Sequence, residues 1–111
     1  MYVTISSRHC NPSAWVRERA EERVRWLARF EPELLGVELD LRVDHGVHQV
    51  DGRLVVAGAR PVVARARGDG FRIALDGVVG RLRRQLTERR DRRRGRNGAR
   101  PSARGAAVGG S

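Results

Sequence analysis

The sequence has no lysine, one cysteine and no long apolar run, and the last two features exclude a disulfide within the chain and a membrane span. It contains no lysine, so all 23 of its basic residues are arginine. Cys10 is the only cysteine, which excludes a disulfide within the chain and suits a reducing compartment. The first ten residues lack the apolar region of a signal peptide, and no apolar run approaches the ~18 residues of a membrane span. These absences predict a cytoplasmic protein that does not enter a membrane.

Aromatic residues are also scarce, at 5% of the 111 residues. The core must therefore consist mainly of Val, Leu, Ile and Ala, and it will bury less surface than a Phe-rich core. A chain of this length is large enough for one domain with a single modest core. The sequence shows no internal repeat.

Residues that could catalyse a reaction or bind a metal form no recognised pattern. His9, Cys10, His45 and His48 match no zinc-binding spacing, and a lone cysteine beside an asparagine is more often a loop residue than a nucleophile. No pair of carboxylates stands in an apolar setting that would separate their pKa values. The Gly-Asp-Gly at 68–70 lacks the lysine and the full glycine fingerprint of a phosphate-binding loop. The sequence therefore predicts a protein that is not an enzyme and has no cofactor, metal or small-molecule substrate.

The positive charge is concentrated in the last third of the chain. The net charge is +10. Residues 1–80 hold 12 arginines and 11 acidic residues, whereas residues 81–111 hold 11 arginines against only Glu88 and Asp91. Such a local field suits phosphate backbones or an anionic surface, and it makes binding strongly dependent on salt. A solvated charged face is the alternative, and the absence of lysine means that a coding bias explains part of the arginine content.

The periodicity of apolar residues predicts four strands and two helices in the order β-α-β-β-β-α. The strand at 37–44 alternates strictly between apolar and charged residues. Asn11 before Pro12 is typical of a helix start, and Glu31 before Pro32 ends that helix. A turn is predicted at 45–48. The predicted strands are residues 2–6, 37–44, 53–57 and 62–67, and the predicted helices are residues 12–30 and 71–94.

Each helix carries one apolar stripe, so both must cover the same apolar sheet face. The stripes are Val16, Ala20, Val24, Leu27 and Phe30 in the first helix, and Phe71, Leu75, Val78, Leu82 and Leu86 in the last. This arrangement predicts an α+β two-layer sandwich, in which a mostly antiparallel four-stranded sheet carries two helices on one face. The other sheet face would present Glu38, Asp40, Arg42 and Arg65 to water.

Two tryptophans border the stripe of the first helix. Trp15 and Trp26 are eleven residues apart, so they project in nearly the same direction. We expect them to close the helix against the sheet, with stacking on nucleic-acid bases as the alternative.

After residue 94 the chain is mostly Gly, Ala, Arg and Ser, which predicts a folded domain at 1–94 and a disordered tail at 95–111.

The segment ALDGVVGRLRRQLT at 74–87 resembles the A-I-D-x-L-I-x-K-L-x-R-Q-L-x signature of the short ribosome hibernation factors, the family also called ribosome-associated inhibitor or sigma-54 modulation proteins. The ARARG at 64–68 is similar to the end of that family's last strand, and the match runs over about residues 2–94. The resemblance implies a fold similar to double-stranded RNA-binding domains. It also implies binding to the small ribosomal subunit, in the channel for messenger and transfer RNA, which stops translation under stress. The protein would be a monomer off the ribosome.

The resemblance also implies which residues contact rRNA phosphates. The family's basic positions fall on Arg23 and Arg29 of the first helix and on Arg81, Arg84, Arg90 and Arg92 of the last. Three places depart from the family pattern. Gly-Phe-Arg at 70–72 stands where the family has Asp-Met/Leu-Tyr, and Glu88 and Trp26 stand where it usually has lysine.

Two other functions fit the same features. One is a duplex-RNA-binding module that acts away from the ribosome with the same basic surface. The other is a protein-interaction module whose arginine tail meets an acidic partner or a membrane.

Overall fold

The predicted order of elements is confirmed by a computed structural model, which describes the backbone of residues 1–98 and the side chains of residues 1–90. The strands are β1 at Tyr2–Arg8, β2 at Leu34–Asp44, β3 at Val47–Val56 and β4 at Val62–Gly68. Helix α1 spans Ala14–Leu27 and continues into a short 3-10 helix at Ala28–Phe30, and α2 spans Phe71–Gly98. Helix α2 thus continues past residue 94, while the predicted disorder beyond residue 98 falls outside the described residues.

The four strands form one mixed sheet in the order β1-β2-β3-β4. The pairs β2–β3 and β3–β4 are antiparallel, whereas β1 runs parallel to β2 because α1 carries the chain back across the sheet. This confirms the predicted α+β class with a mostly antiparallel sheet and two helices. The similarity to double-stranded RNA-binding domains stays a prediction. Within residues 1–98, no helix is both long enough and apolar enough to cross a membrane.

The core lies between one face of the sheet and the two helices, and both predicted stripes enter it. Val24 and Leu27 of α1 and Leu82 and Leu86 of α2 have no exposed surface. The strict alternation of β2 turns Leu41 and its apolar neighbours toward the helices. Each fully buried Leu or Val contributes about 1.5–3 kcal/mol relative to the exposed side chain, so these stripes hold the helices to the sheet.

Helix α2 approaches the sheet closely because small residues face it. A methyl group on Gly52 of β3 would lie 2.9 Å from Leu82 Cδ1 and 3.3 Å from Val78 Cγ2. A methyl group on Gly77 of α2 would lie 3.0 Å from the Cβ of Ala66 in β4. These contacts bring α2 onto β3 and β4 at a distance that larger side chains would prevent.

The third strand begins earlier than predicted. The predicted turn at 45–48 is confined to His45 and Gly46, whose φ angles of 53° and 79° make the two-residue hairpin between β2 and β3. The prediction of 53–57 was wrong because His48 and Gly52 occupy two inward-facing positions of β3. They interrupt the apolar alternation by which a strand is recognised. The His48 ring packs edge-on against the Phe71 ring, with 4.7 Å between the two ring centroids.

The start of α1 and the position of one tryptophan also differ from the predictions. The N-cap is Ser13, whose Oγ accepts a hydrogen bond from the backbone N–H of Val16 at 3.3 Å, so Asn11 and Pro12 precede the helix. Trp15 is 51% exposed and does not close α1 against the sheet. It lies in the first turn of α1, near Glu18, Arg19 and Glu22 of the same helix, whereas Trp26 is half-buried beside the middle of α2.

The second face of the sheet is covered by no helix within residues 1–98, and it carries paired charges. Glu38, Asp40, Arg42 and Arg65 all lie on this open face, as predicted. The ion pairs are Arg8 with Asp40, Arg53 with Glu38, and both Arg42 and Arg65 with Asp51. At its margin the Tyr2 hydroxyl donates to Glu38 at 2.9 Å, and this hydrogen bond raises the pKa of the Tyr2 hydroxyl above its ordinary value.

We expect the substitution Gly80→Ala to raise the free energy of unfolding by about 1 kcal/mol, because alanine favours a helix interior over glycine by that amount. Gly80 faces open space, so the added methyl group meets nothing. Gly77→Ala is the matched control, since it has the same helical gain but places its methyl group against Ala66. Urea denaturation followed by circular dichroism measures both. Equal stabilisation by the two variants would contradict the close approach of α2 to β4.

Candidate nucleic-acid interface

The buried stripe of α2 leaves the arginines of that helix on different sides. Successive residues are rotated by about 100° around a helix, so Arg81 lies on the side toward β4, and Arg84 lies on the outer side, nearly opposite the buried stripe. Arg83 and Arg90 lie on the side toward α1. The predicted binding residues of α2 therefore do not share one face, and each side has a different neighbourhood.

On the β4 side, α2 covers the free edge of the sheet. Arg81 donates a hydrogen bond from Nη1 to the backbone carbonyl of Arg65, and Gln85 donates from Nε2 to the carbonyl of Val63 at 2.8 Å. These carbonyls point away from β3, and an unpaired strand edge is a site where another chain could add. Arg81 is therefore a structural residue as well as an exposed cation, since one of its five N–H donors is committed to β4.

On the α1 side, Asp76 of α2 joins the two helices through two arginines of α1. Its Oδ1 lies 3.7 Å from Arg19 Nη2 and 3.7 Å from Arg23 Nε. The side chains of Arg19 and Arg23 are only 32% and 28% exposed, so this cluster is partly shielded from water. We call this contact region between α1 and α2 the seam, and its first part consists of Arg19, Arg23 and Asp76. The predicted binding residue Arg23 is thus held at the seam.

Trp26 forms the second part of the seam. The guanidinium of Arg23 lies 4.7 Å from the centroid of the Trp26 ring, and that of Arg83 lies 5.9 Å from it. The Trp26 ring meets the Phe30 ring edge-on at 4.9 Å, and Arg83 also lies 5.3 Å from the Phe30 ring. Arginine stacking on aromatic rings stabilises such an arrangement by about 0.5–1 kcal/mol per exposed contact. Trp26 therefore packs between the helices, where the family usually has a lysine.

The remaining predicted residues are more open. Arg29 and Arg84 are exposed and have no ion pair or hydrogen bond with any described residue. Arg90 makes one long hydrogen bond, from Nη1 to the carbonyl of Phe30 at 3.4 Å. The side chain of Arg92 lies outside the described residues. Glu88, one turn after Arg84, is also exposed.

Sequence reasoning missed three arginines that the fold brings to this surface. Arg83 joins Arg23 at the seam, and Arg65 and Arg67 line a concave surface with Arg81 beside β4. Arg65 was expected to face water, and Arg67 shares its face of β4 because the two residues are two apart in the strand. Their meeting with Arg81 depends on how α2 crosses β4, which no local pattern encodes.

The sequence profile of the family described as sigma 54 modulation protein / S30EA ribosomal protein matches residues 3–94. No curated protein sequence matches. A ribosomal subunit interface protein from Coxiella burnetii has a similar structure, with a TM-score of 0.73 and 19% identity over 82% of this chain and 99% of that one. The N-terminal domain of Thermus thermophilus Protein Y is also similar, with a TM-score of 0.72 and 18% identity over 79% of this chain and 98% of that one.

The profile covers most of the chain, including both helices up to residue 94 and all but the first residue of the sheet. The chain therefore belongs to the sigma 54 modulation protein / S30EA ribosomal protein family. At below 20% identity the two solved structures establish a shared fold, which agrees with the family assignment.

We expect Asp76→Asn to lower the free energy of unfolding by about 1–2 kcal/mol, because it leaves Arg19 and Arg23 partly buried without their shared carboxylate. Glu88→Gln removes the same charge from an exposed position of α2 that has no ion pair with the side chains of residues 1–90, so its effect should stay within about 0.5 kcal/mol. Urea titrations of both variants measure the difference. Equal destabilisation would show that Asp76 does not join the helices.

Proposed function

We propose that this protein binds the small ribosomal subunit in the channel that messenger and transfer RNA occupy, and that it thereby silences translation under stress. The family assignment over residues 3–94 supports a ribosomal role. The similar protein from Coxiella burnetii is described as a ribosomal subunit interface protein. A protein with this role would be cytoplasmic, not an enzyme, and a monomer off the ribosome.

The observation that carries this proposal is the set of exposed arginines on a rigid helical layer. Arg29 and Arg84 present complete guanidinium groups to solvent, and Arg81 keeps most of its donors. A guanidinium donates two parallel hydrogen bonds to a phosphate, so each can contact the rRNA backbone with defined geometry. The buried stripe of α2 fixes the positions of Arg81 and Arg84 relative to the sheet. Binding of this kind reads the shape of folded RNA more than its sequence.

We infer different tasks for the six residues implied by the family, from the contacts that each makes within the protein. Arg29 and Arg84 are free to contact phosphate. Arg23 contacts Asp76 and Trp26, so its main effect is to hold α1 beside α2, and only its outer donors remain for RNA. Arg81 supports the edge of β4 and contacts RNA through its remaining donors. Arg90 and Arg92 extend the same helix toward its C-terminus.

Inhibition needs no chemical step, because a protein that occupies the channel excludes messenger and transfer RNA. Competition therefore separates this proposal from a module that binds duplex RNA elsewhere. Messenger RNA with initiator transfer RNA should displace the protein from small subunits, whereas a generic binder would stay on other duplex segments. Removal of residues 95–111 tests the interaction module, since it would abolish binding through the tail and leave a helix-centred site intact.

We expect the double variant Arg29→Glu, Arg84→Glu to lose small-subunit binding by about ten-fold or more, since two phosphate contacts become repulsive. Co-sedimentation with purified small subunits measures the loss. Neither residue has a partner among the described residues, so the melting temperature should stay close to that of the wild type. Charge reversal at Arg81 is a less specific test, because it also removes the hydrogen bond to β4.

Arg17→Glu is the control for this experiment. Arg17 is exposed, has no ion pair within the described part of the chain, and lies roughly 120° around α1 from Arg23. It places one charge reversal, half the change of the double variant, on a different side of α1. Undiminished co-sedimentation of the double variant, or an equal loss for Arg17→Glu, would contradict the assignment of Arg29 and Arg84 to the binding surface.

A further inference from the structure

Three arginines converge beside the edge strand β4, where they define what we call the β4 notch. Arg65, Arg67, Arg81 and the small residue Ala66 line this concave surface, whose volume is about 360 Å³. Arg65 and Arg67 project from the same face of β4 because they are two residues apart in a strand. Arg81 reaches the notch from α2 and is fixed there by its hydrogen bond to the carbonyl of Arg65.

The two strand arginines are held by hydrogen bonds that leave their outer ends free. Arg65 Nε donates to Asp51 Oδ1 at 2.8 Å, and Arg67 Nε donates to Gln49 Oε1 at 3.0 Å. Gln49 in turn donates from Nε2 to Asp51 Oδ1 at 3.1 Å. Only the Nε of each arginine is used, so the terminal Nη groups have no partner within the described residues. Their orientation is set before any ligand arrives, which lowers the entropy cost of binding.

The charges of the notch are not balanced. Asp51 is the one carboxylate that pairs with these arginines among the described residues, and it also pairs with Arg42 at 3.5 Å. Three arginines therefore line the notch, and the single carboxylate that pairs with them is shared with Arg42. Arginines gathered on one surface repel each other, and a bound anion reduces that repulsion. The paired N–H groups of arginine match the oxygens of a phosphate.

We propose that the β4 notch binds a backbone phosphate of RNA and carries the contact surface from the helices around the edge of β4 to the open face of the sheet. This inference rests on the proposed function. It adds Arg65 and Arg67, which are not among the basic positions implied by the family, to the binding surface. The notch is continuous with that surface because Arg84 follows Arg81 by one turn of α2. A chain of phosphates that contacts Arg84 can therefore continue into the notch.

The test is the salt dependence of binding to purified small ribosomal subunits. Each phosphate contact contributes about 0.7–0.9 to the slope of log K against log salt concentration. The double variant Arg65→Ala, Arg67→Ala should therefore bind more weakly and show a slope smaller by about 0.7–0.9, because one phosphate contact is lost. The single variant Arg67→Ala should show about half of that change. It leaves both ion pairs of Asp51 intact, so it controls for loss of folding. Thermal melting checks that each variant folds.

Arg17→Ala is the matched control, since it removes one exposed arginine outside the notch and should leave the slope unchanged. If the wild type binds small subunits and the notch variants keep its slope and affinity, the notch does not contact RNA and this inference is wrong. A slope reduced as much by Arg17→Ala as by Arg67→Ala would also overturn it, because the effect would then be general charge. If the wild type itself does not bind small subunits, the proposed function fails and the inference fails with it.

Discussion

The close packing of α2 on β3 and β4 is the contact on which the rest of the structure depends. Gly52, Gly77 and Ala66 allow it, and the buried side chains of Leu82 and Val78 stabilise it. A helix packed this closely has one face in the core, so its arginine side chains must project from its other faces. The depth of this packing therefore decides where the charges of the surface lie.

Some arginines of this fold hold its elements together, and others keep their guanidinium donors free for a ligand. The contacts of each guanidinium decide to which group it belongs. With no lysine in the chain, arginines also supply the structural cations: Arg19 and Arg23 join α1 to Asp76, and Arg81 covers the edge of β4. The Trp26 ring strengthens the contact between α1 and α2, since Arg23 of α1 and Arg83 of α2 both lie over it. A count of arginines consequently overstates the binding surface.

The predictability of the fold depended on how regular each element's pattern was. The apolar stripes of α1 and α2 and the alternation of β2 predicted the layers correctly, because burial on one face requires that periodicity. The start of β3 was missed because His48 and Gly52 face the core there and carry no apolar signal. Trp15 was misplaced because its spacing from Trp26 gives its direction around α1 but does not show whether another element covers the first turn of that helix.

The candidate site was less predictable than the fold, since it depends on contacts between distant segments. The family resemblance pointed to Arg81 as a ligand for phosphate, but its bond to the carbonyl of Arg65 follows only from how α2 lies over β4. That same bond brings Arg81 beside Arg65 and Arg67, whose orientations are set by Asp51 and Gln49 on the neighbouring strand. The hydrogen bond of Arg81 to Arg65 thus uses one donor that a ligand could otherwise accept from. The same hydrogen bond places Arg81 in the β4 notch, which is a second cationic surface. Because the strand edge must be covered in any case, an arginine in this position can support the fold with one donor and keep its other donors for a ligand.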